Sequence, residues 1–316
     1  MEPGTARLWI SILWKTGIPY ITLATAMIKT VVAQVWGENM ISAANRFEYG
    51  FIGAGNMVSA IVQGMSAAGV EGESLAITDH SGKRAPVLAK AVDATYLPDT
   101  AELIRRSKTV ILGMKPHQQN QLLRTYREEI AQSQPLVISI AAGRSIAQLE
   151  AQLPEGTAVV RVMPNVAAQV GLSTTALCGG THTSAEQIRT ATALCEAIGS
   201  AQVVAEELFP VFTALAGCSP AWFAATVDAL AQAGVAEGLT KTAALTAAAS
   251  AMEGTGKLIQ AALAGGNTAA DIVDQVCSPR GTTVAGLLAA EDAGLRRVWH
   301  SAVRAAVARD AHLSAN

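Results

Sequence analysis

Two glycines near residue 50 have the spacing of a phosphate-binding turn. Gly53 and Gly55 follow the apolar run 49–52 and precede residues 56–68, which have a helical pattern. In this order the first glycine permits a tight turn, and the second lets the backbone approach a pyrophosphate at the helix N-terminus. Val58 replaces the third glycine or alanine of the dinucleotide fingerprint and weakens the match. The strand–turn–helix context still favours dinucleotide binding over a simple turn.

The end of the second predicted strand bears on which dinucleotide is bound. Asp79 lies 26 residues after Gly53, somewhat beyond the roughly 20 expected of an acid that binds the ribose of NAD. The following residues, 80–84, read HSGKR and offer hydroxyl, amide and cationic donors that suit a 2′-phosphate. We therefore expect NADP as the cofactor, with NAD still possible. The alternative is a helix N-cap at Ser81 followed by solvated charges.

Three further loops follow predicted strands and carry polar or small residues. They are Gly113-Met114-Lys115-Pro116, Ala141-Ala142-Gly143 and Met163-Pro164-Asn165. In a parallel sheet all carboxyl ends of the strands open onto one crevice, so these loops should line the cofactor. Lys115 is either catalytic or a residue that shapes this pocket or contacts the cofactor.

Short apolar runs alternate with helical segments through the first two thirds of the chain. Strands are predicted at 49–52, 75–78, 109–112, 136–140 and 158–163, with helices at 56–68, 101–106 and 146–153. Two more strands, at 174–178 and 202–204, flank a helix at 184–198. This alternation predicts a Rossmann-like α/β fold, a doubly wound parallel sheet over a dinucleotide-binding domain of residues 48–205.

After Glu206 the pattern is helical throughout. Helices are predicted at 220–236, 243–263, 268–276, 283–290 and 294–310, separated by breaks such as 265–267 and 278–281. The phosphate-loop-like segment 254–258 (GTGKL) belongs to a helix interior, because no strand precedes it. This Ala-rich domain, residues 206–316, has little charge, so we expect an obligate homodimer that buries its apolar surface. A monomeric helical cap is the alternative.

Composition restricts the classes of partner. Charged residues make up 15% of the chain, hydrophobic residues 50% and aromatic residues 4%, and the net charge is -2. Without a Lys/Arg block, neither nucleic acid nor an anionic membrane is indicated. Histidines and cysteines lack metal-binding or paired spacing, so we expect no metal, no disulfide framework and a cytoplasmic location. The four cysteines are Cys178, Cys195, Cys218 and Cys277.

The first 47 residues form a predicted extension outside the fold. Lys15 and Lys29 interrupt its apolar stretch, and the longest uncharged run between them, 16–28, has 13 residues. That is short of the roughly 18–20 residues that a membrane helix needs. We therefore interpret the segment as extra sequence before a functional start at Met40; a signal peptide or membrane tether is the alternative.

Seven segments together resemble the pyrroline-5-carboxylate reductase family over about residues 48–312. They are FIGAGNM (51–57), MKP (114–116), SIAAG (139–143), RVMPN (161–165), AGCSPAW (216–222), DAL (228–230) and CSPRGTT (277–283). The resemblance implies an NAD(P)H-dependent enzyme that reduces 1-pyrroline-5-carboxylate, a cyclic imine, to L-proline. It also implies a Rossmann domain followed by a helical dimerisation domain, often assembled into larger rings.

The resemblance also implies roles for individual residues. Ser278, Gly281, Thr282 and Thr283 would form the substrate loop, with the Thr283 hydroxyl hydrogen-bonded to the ring nitrogen. Backbone N–H groups where this turn enters a helix can hold the substrate carboxylate. The residues that would contact the cofactor are Ile52, Gly53, Gly55, Asn56, Met57, His80, Ser81, Thr100, Gly113, Met114, Lys115, Pro116, Ile140, Ala141, Ala142 and Asn165.

Two departures from the family pattern leave alternatives open. Arg280 replaces a glycine, which costs strain if that residue has a positive φ and otherwise adds a cation beside the substrate carboxylate. Val166 and Ala167 replace a threonine and a proline beside the nicotinamide end. The alternatives are a β-hydroxyacid dehydrogenase with Lys257 as its catalytic residue, and a dinucleotide-binding paralogue without catalysis.

Overall fold

A computed structural model describes residues 47–314, and within them eight strands form one sheet. The predicted extension and the start at Met40 lie outside these residues, except for Phe47, the first residue of β1. The strands are β1 Phe47–Ile52, β2 Leu75–Thr78, β3 Thr95–Tyr96, β4 Ser107–Leu112, β5 Leu136–Ser139, β6 Val159–Met163, β7 Ser173–Gly179 and β8 Gly199–Val203.

The sheet has the strand order β3-β2-β1-β4-β5-β6-β7-β8. Strands β1 to β6 pair in parallel, which is the Rossmann order and confirms the predicted fold class. Strand β7 runs antiparallel to β6, and β8 is parallel to β7. Only residues 164–172 connect β6 to β7, and a parallel crossover needs a dozen residues or more. The short connection therefore reverses the chain direction.

Helices connect the strands of this sheet and cover its faces. Strand β3 and helices α2, α4 and α5 are absent from the sequence-based expectations, whereas α1, α3, α6 and α7 agree with them within a few residues. The helices are α1 Asn56–Ala67, α2 Ala85–Ala91, α3 Thr100–Arg106, α4 Pro116–Thr125, α5 Arg127–Ser133, α6 Ile146–Glu150 and α7 Ala185–Glu196.

The two faces of the sheet pack into separate apolar clusters. Phe51 and Ile111 belong to one cluster, and their chain neighbours Ile52 and Leu112 belong to the other. This alternation follows from the two-residue period of a strand, and because both faces are covered the central strands are continuously apolar. The carboxyl ends of β1 to β6 are thereby held at one rigid edge.

The second part of the described chain is helical, as predicted. It begins with α8, Phe209–Phe212, which continues through a π-helical turn, Thr213–Cys218, into the next helix. The remaining helices are α9 Ser219–Ala236, α10 Lys241–Ala264, α11 Ala269–Val276, α12 Thr282–Asp292 and α13 Leu295–Ser314. The segment 254–258 lies inside α10, so the phosphate-loop-like sequence is helical as expected.

Large apolar side chains of these helices are exposed in the single chain. Helix α9 packs mainly on α10, and α12 mainly on α13, so each helix keeps an uncovered face. By length and composition, the helical segment Glu206–Ala236 could cross a membrane, and little of it is buried. The exposed large apolar residues in this part include Leu215, Phe223, Leu230, Leu258, Val273, Leu288 and Val298.

Candidate active site

The glycine turn after β1 has the geometry that a pyrophosphate turn requires. Gly53 has a φ of 112°, and a Cβ there would lie 3.0 Å from the Gly113 backbone. Its N–H donates to the Thr78 carbonyl at 2.8 Å, which fixes the turn against β2. A Cβ on Gly55, by contrast, would meet no atom within 4 Å. Gly53 is therefore needed for the fold, and Gly55 leaves open space beside the helix.

The N-terminus of α1 faces this space without a side-chain cap. Its first N–H groups have no intrahelical partner and are available to an anion. Asn56 accepts a hydrogen bond of 2.9 Å from the Arg84 guanidinium, which belongs to the loop after β2. A cation is thereby held at the helix N-terminus, where charged oxygens of a dinucleotide would bind.

Val58 fits the site because Gly113 makes room for it. The Val58 side chain is fully buried, and a Cβ on Gly113 would overlap Val58 Cγ2. Gly113 also donates its N–H to the Ile52 carbonyl at 2.9 Å. The third small residue of the fingerprint normally permits close packing of the helix on the strand. Here Gly113, directly after the adjacent strand β4, provides that space instead.

Asp79 organises the loop after β2. Its carboxylate accepts hydrogen bonds from the Ser81 hydroxyl at 2.6 Å and from the N–H groups of Ala85 at 3.2 Å and Arg84 at 3.4 Å. Burial acts to raise the pKa of Asp79, but the hydrogen bonds from Ser81 and the backbone together lower it below its ordinary value. The carboxylate is therefore committed to this loop, whose Lys83 and Arg84 side chains are exposed.

Two buried polar residues that the sequence reasoning missed join the loops after β4 and β5. Gln119 in α4 and Ser139 at the end of β5 are both fully buried, and the Ser139 hydroxyl donates to Gln119 Oε1 at 3.0 Å. Gln119 Nε2 in turn donates to the carbonyls of Leu112 and Met114. No sequence motif marks these residues. The signal that could have found Gln119 is its position one helical turn before the apolar Leu123, within a mostly polar segment.

Asn165 is buried and links the sheet to the helical part of the chain. Its Nδ2 donates to the Ala216 carbonyl of the π-helical turn at 2.9 Å, and its Oδ1 accepts from the Ala167 N–H at 3.1 Å. Its own N–H donates to the Ser173 hydroxyl at 3.1 Å. The amide nitrogen, the amide oxygen and the backbone N–H of Asn165 are thus all already hydrogen-bonded within the protein.

The predicted substrate loop is a β-turn that leads into α12. Gly281 donates its N–H to the Ser278 carbonyl at 3.0 Å, with Pro279 at the second position and Arg280 at the third. Arg280 has a φ of 59°, so it occupies the position that glycine favours in a type II turn. Gly281 precedes α12 without a side-chain cap, and a Cβ there would overlap Ser278 Oγ. The N–H groups of Thr282 and Thr283 are therefore free of capping side chains.

The structure places the expected cofactor residues along one edge of the sheet, whereas the expected substrate residues lie in the helical part of the chain. All sixteen cofactor positions follow, or end, one of the strands β1 to β6, whose carboxyl ends form one edge. Ser278 is exposed on the connection between α11 and α12, and Thr282 and Thr283 are exposed in the first turn of α12. Among residues 47–314, no hydrogen bond or ion pair joins this connection to the sheet.

Lys257 does not have the surroundings of a catalytic lysine. It lies inside α10 with its side chain 70% exposed, and its ammonium pairs with Glu253 at 2.7 Å. Helix α10 makes its main contacts with α9 and α11 rather than with the sheet. In the described part of the chain, no group of three or more His, Cys, Asp or Glu is placed to hold a metal ion.

Comparison with known proteins identifies the family. Residues 206–313 match the family model for pyrroline-5-carboxylate reductase dimerisation, and residues 48–143 match that for NADP oxidoreductase, coenzyme F420-dependent. A pyrroline-5-carboxylate reductase of Methanosarcina acetivorans is 37% identical over 265 residues, covering 84% of this chain and 97% of the relative. The chain belongs to the pyrroline-5-carboxylate reductase family. The family predicted from seven motifs is thereby confirmed.

Solved structures of pyrroline-5-carboxylate reductases share the fold of this family member. The enzyme of Coxiella burnetii has a TM-score of 0.81 and 28% identity, and the match covers 85% of this chain and 99% of that one. The enzyme of Streptococcus pyogenes has a TM-score of 0.72 and 32% identity, covering 84% and 98%. Both matches extend over the sheet and the helical part, so the two parts belong to one reductase architecture.

Proposed function

We propose that this chain reduces 1-pyrroline-5-carboxylate to L-proline with NADPH as the hydride donor. One observation carries the proposal: in a chain of this reductase family, the predicted substrate loop leads into α12 at a helix N-terminus without a side-chain cap, as the dinucleotide turn leads into α1. Two anions can thus be bound by backbone N–H groups, the pyrophosphate at α1 and a small carboxylate at α12. A cyclic imino acid supplies such a carboxylate.

The dinucleotide fits the residues at the sheet edge. In this proposal the N–H groups of Asn56 and Met57 hold the pyrophosphate in the open space beside Gly55. Lys83 and Arg84 hold the 2′-phosphate, since Arg84 already reaches the N-terminus of α1. The NADP oxidoreductase model that matches residues 48–143 supports NADP as the cofactor. The reduced nicotinamide supplies a hydride when it is bound.

The remaining steps belong to the substrate loop. Thr282 and Thr283 bind the substrate carboxylate through their N–H groups, and the Thr283 hydroxyl accepts a hydrogen bond from the protonated ring nitrogen. A protonated imine is already electrophilic, so the protein contributes mainly by placing its carbon against the hydride donor. Because the substrate needs mainly to be positioned, the reaction requires neither a pair of catalytic carboxylates nor a His/Asp couple.

The assembled protein completes the site in this proposal. The chain divides into a dinucleotide-binding domain, 48–205, and a dimerisation domain, 206–316, which forms a homodimer and larger rings. The exposed apolar faces of α9 to α12 support burial against a second copy rather than in a membrane. The four free cysteines support a reducing, cytoplasmic location.

The experiment compares Thr283→Ala with the wild-type protein in steady-state NADPH oxidation. We expect kcat/KM for 1-pyrroline-5-carboxylate to fall about 100-fold, because the hydrogen bond that places the ring nitrogen is lost. The affinity for NADPH should be unchanged. Thr190→Ala changes a half-buried threonine of α7, far along the chain from the substrate loop, and is the control that should leave both quantities unaltered. An unchanged kcat/KM in Thr283→Ala would remove Thr283 from the site.

A further inference from the structure

Gln119 is an unusual side chain at the edge of the sheet, because it is fully buried in a helix of mostly polar residues. Its Nε2 donates to the carbonyls of Leu112 at 3.3 Å and Met114 at 3.4 Å. Its Oε1 accepts from the Ser139 hydroxyl at 3.0 Å. The Ser139 oxygen is also 3.5 Å from the Ala141 N–H, which donates to it. One side chain thereby connects the loops that leave β4 and β5.

The chemistry of these contacts fixes the orientation of the Gln119 amide. Carbonyl oxygens can only accept hydrogen bonds, so the two contacts to Leu112 and Met114 must come from the NH₂ group. The amide oxygen then faces Ser139, whose hydroxyl is free to donate. A buried polar group without a partner is costly, and rotation of the amide would turn its oxygen, which can only accept, toward two carbonyl oxygens that also only accept. The bridge therefore has one stable arrangement.

The bridge extends a chain of contacts that begins at the phosphate turn. Gly113, at the start of the β4 loop, donates its N–H to the carbonyl of Ile52 and packs against Gly53. On its other side the same loop is held through Gln119 to Ser139 and the β5 loop. The three loops that should meet the dinucleotide are thus held in one register across adjacent strands.

We propose that Gln119 is a positioning residue for hydride transfer, acting through Ser139 on the loops at 113–116 and 140–143. This inference rests on the proposed function, since these two loops are among those expected to line the cofactor. Displacement of a reacting group by about 1 Å can cost about 100-fold in rate. Loss of the bridge should therefore affect the hydride step more than dinucleotide affinity, which depends on the intact turn at Gly53 and Gly55.

The test uses Gln119→Met and Ser139→Ala, alone and combined, in the full-length protein. Gln119→Met keeps the side-chain volume and removes every hydrogen bond of the amide. We expect kcat per folded enzyme to fall about tenfold with a nearly unchanged Kd for NADPH, and the deuterium isotope effect on kcat to rise. The combined variant should be no slower than Gln119→Met alone, because both substitutions break the same bridge.

Ser107→Ala is the matched control. Ser107 is a fully buried serine at the opposite end of β4, where its hydroxyl donates to the Leu103 carbonyl at 2.6 Å. It should lose stability in urea as the bridge variants do, but keep the wild-type kcat and isotope effect. If Gln119→Met keeps the wild-type kcat and isotope effect, or if Ser107→Ala changes them equally, the positioning role is overturned.

Amide hydrogen exchange separates this inference from the proposed function. Exchange of the amides of residues 113–115 and 140–143 should be faster in Gln119→Met than in the wild-type protein, and unchanged there in Ser107→Ala. This measurement needs no turnover, so a wild-type protein without reductase activity would overturn the proposed function alone. Equal exchange in both variants would overturn the bridge even in an active enzyme.

Discussion

Gly113→Ala tests the close packing of the dinucleotide turn directly. A Cβ at this position would overlap Val58 Cγ2 and lie 3.3 Å from the Ile52 carbonyl. Gly113 does not have a positive φ, so an alanine meets no backbone strain there. Overpacking of a well-packed site costs about 1–3 kcal/mol. We expect Gly113→Ala to destabilise the protein by that amount and to weaken NADPH binding, because α1 must move away from β4.

Val58→Ala supplies the compensating change and completes a thermodynamic cycle. Alone it removes two buried methyl groups, which costs about 1.6 kcal/mol of transfer free energy at about 0.8 kcal/mol each, plus a cavity contribution. In the Gly113→Ala background it relieves the overlap and restores the alanine of the dinucleotide fingerprint. The double variant should therefore be more stable than the sum of the single effects predicts.

The assay is urea unfolding of the four proteins, with the Kd for NADPH measured beside it. We expect a coupling free energy of about 1–3 kcal/mol in the stabilising direction and recovery of NADPH affinity in the double variant. Additive single effects, within about 0.5 kcal/mol, would refute the reasoning that Gly113 makes room for Val58.

Three further predictions concern backbone strain, cofactor choice and pH. Arg280→Val should destabilise the protein by about 1–2 kcal/mol in thermal unfolding, whereas Arg280→Gly should not, because a positive φ disfavours side chains and most of all β-branched ones; equal stabilities would contradict the turn geometry. Arg84→Ala should raise the KM for NADPH about tenfold and leave that for NADH unchanged, since a charged contact to the 2′-phosphate is lost; Lys90→Ala on α2 is the control, and an equal change for both cofactors would place Arg84 elsewhere. Burial raises the pKa of Cys195 from 9.0 to about 12. Between these pH values the unfolded chain binds fewer protons than the folded chain, so the free energy of unfolding falls as pH rises, by up to about 1.4 kcal/mol per pH unit. Cys195→Ala should flatten the dependence of unfolding free energy on pH in this window, and parallel curves for the two proteins would contradict it.

Buried strands were the most predictable part of the fold. All four residues of β2 and of β5 are buried, and their continuous apolar runs are typical of a parallel sheet covered on both faces. Strand β3 has two residues and makes no such run. Helix α4 was missed because its sequence, PHQQNQLLRT, is polar with only Gln119 and Leu123 buried. The same polarity hid Gln119 from a search for functional residues.

The site was predictable where a local motif sufficed and not where distant residues compensate for one another. Val58 weakened the short fingerprint, but the residue that accommodates it, Gly113, lies 55 positions later. Such compensation becomes visible only when α1 and β4 are placed side by side. Arg280 left two options open in the sequence, and its φ of 59° decides for the strained turn. Within residues 47–314 no hydrogen bond or ion pair joins the predicted substrate loop to the sheet, so the local motifs alone do not place this loop at the cofactor edge.

We infer that this chain couples NADPH oxidation to reduction of a cyclic imino acid. Steady-state oxidation of NADPH by the wild-type protein, followed at 1:1 stoichiometry with formation of L-proline from 1-pyrroline-5-carboxylate, tests it most directly. We predict saturable turnover that depends on both substrates. Tight binding of NADPH without any turnover would contradict the claim and would indicate a dinucleotide-binding paralogue without catalysis.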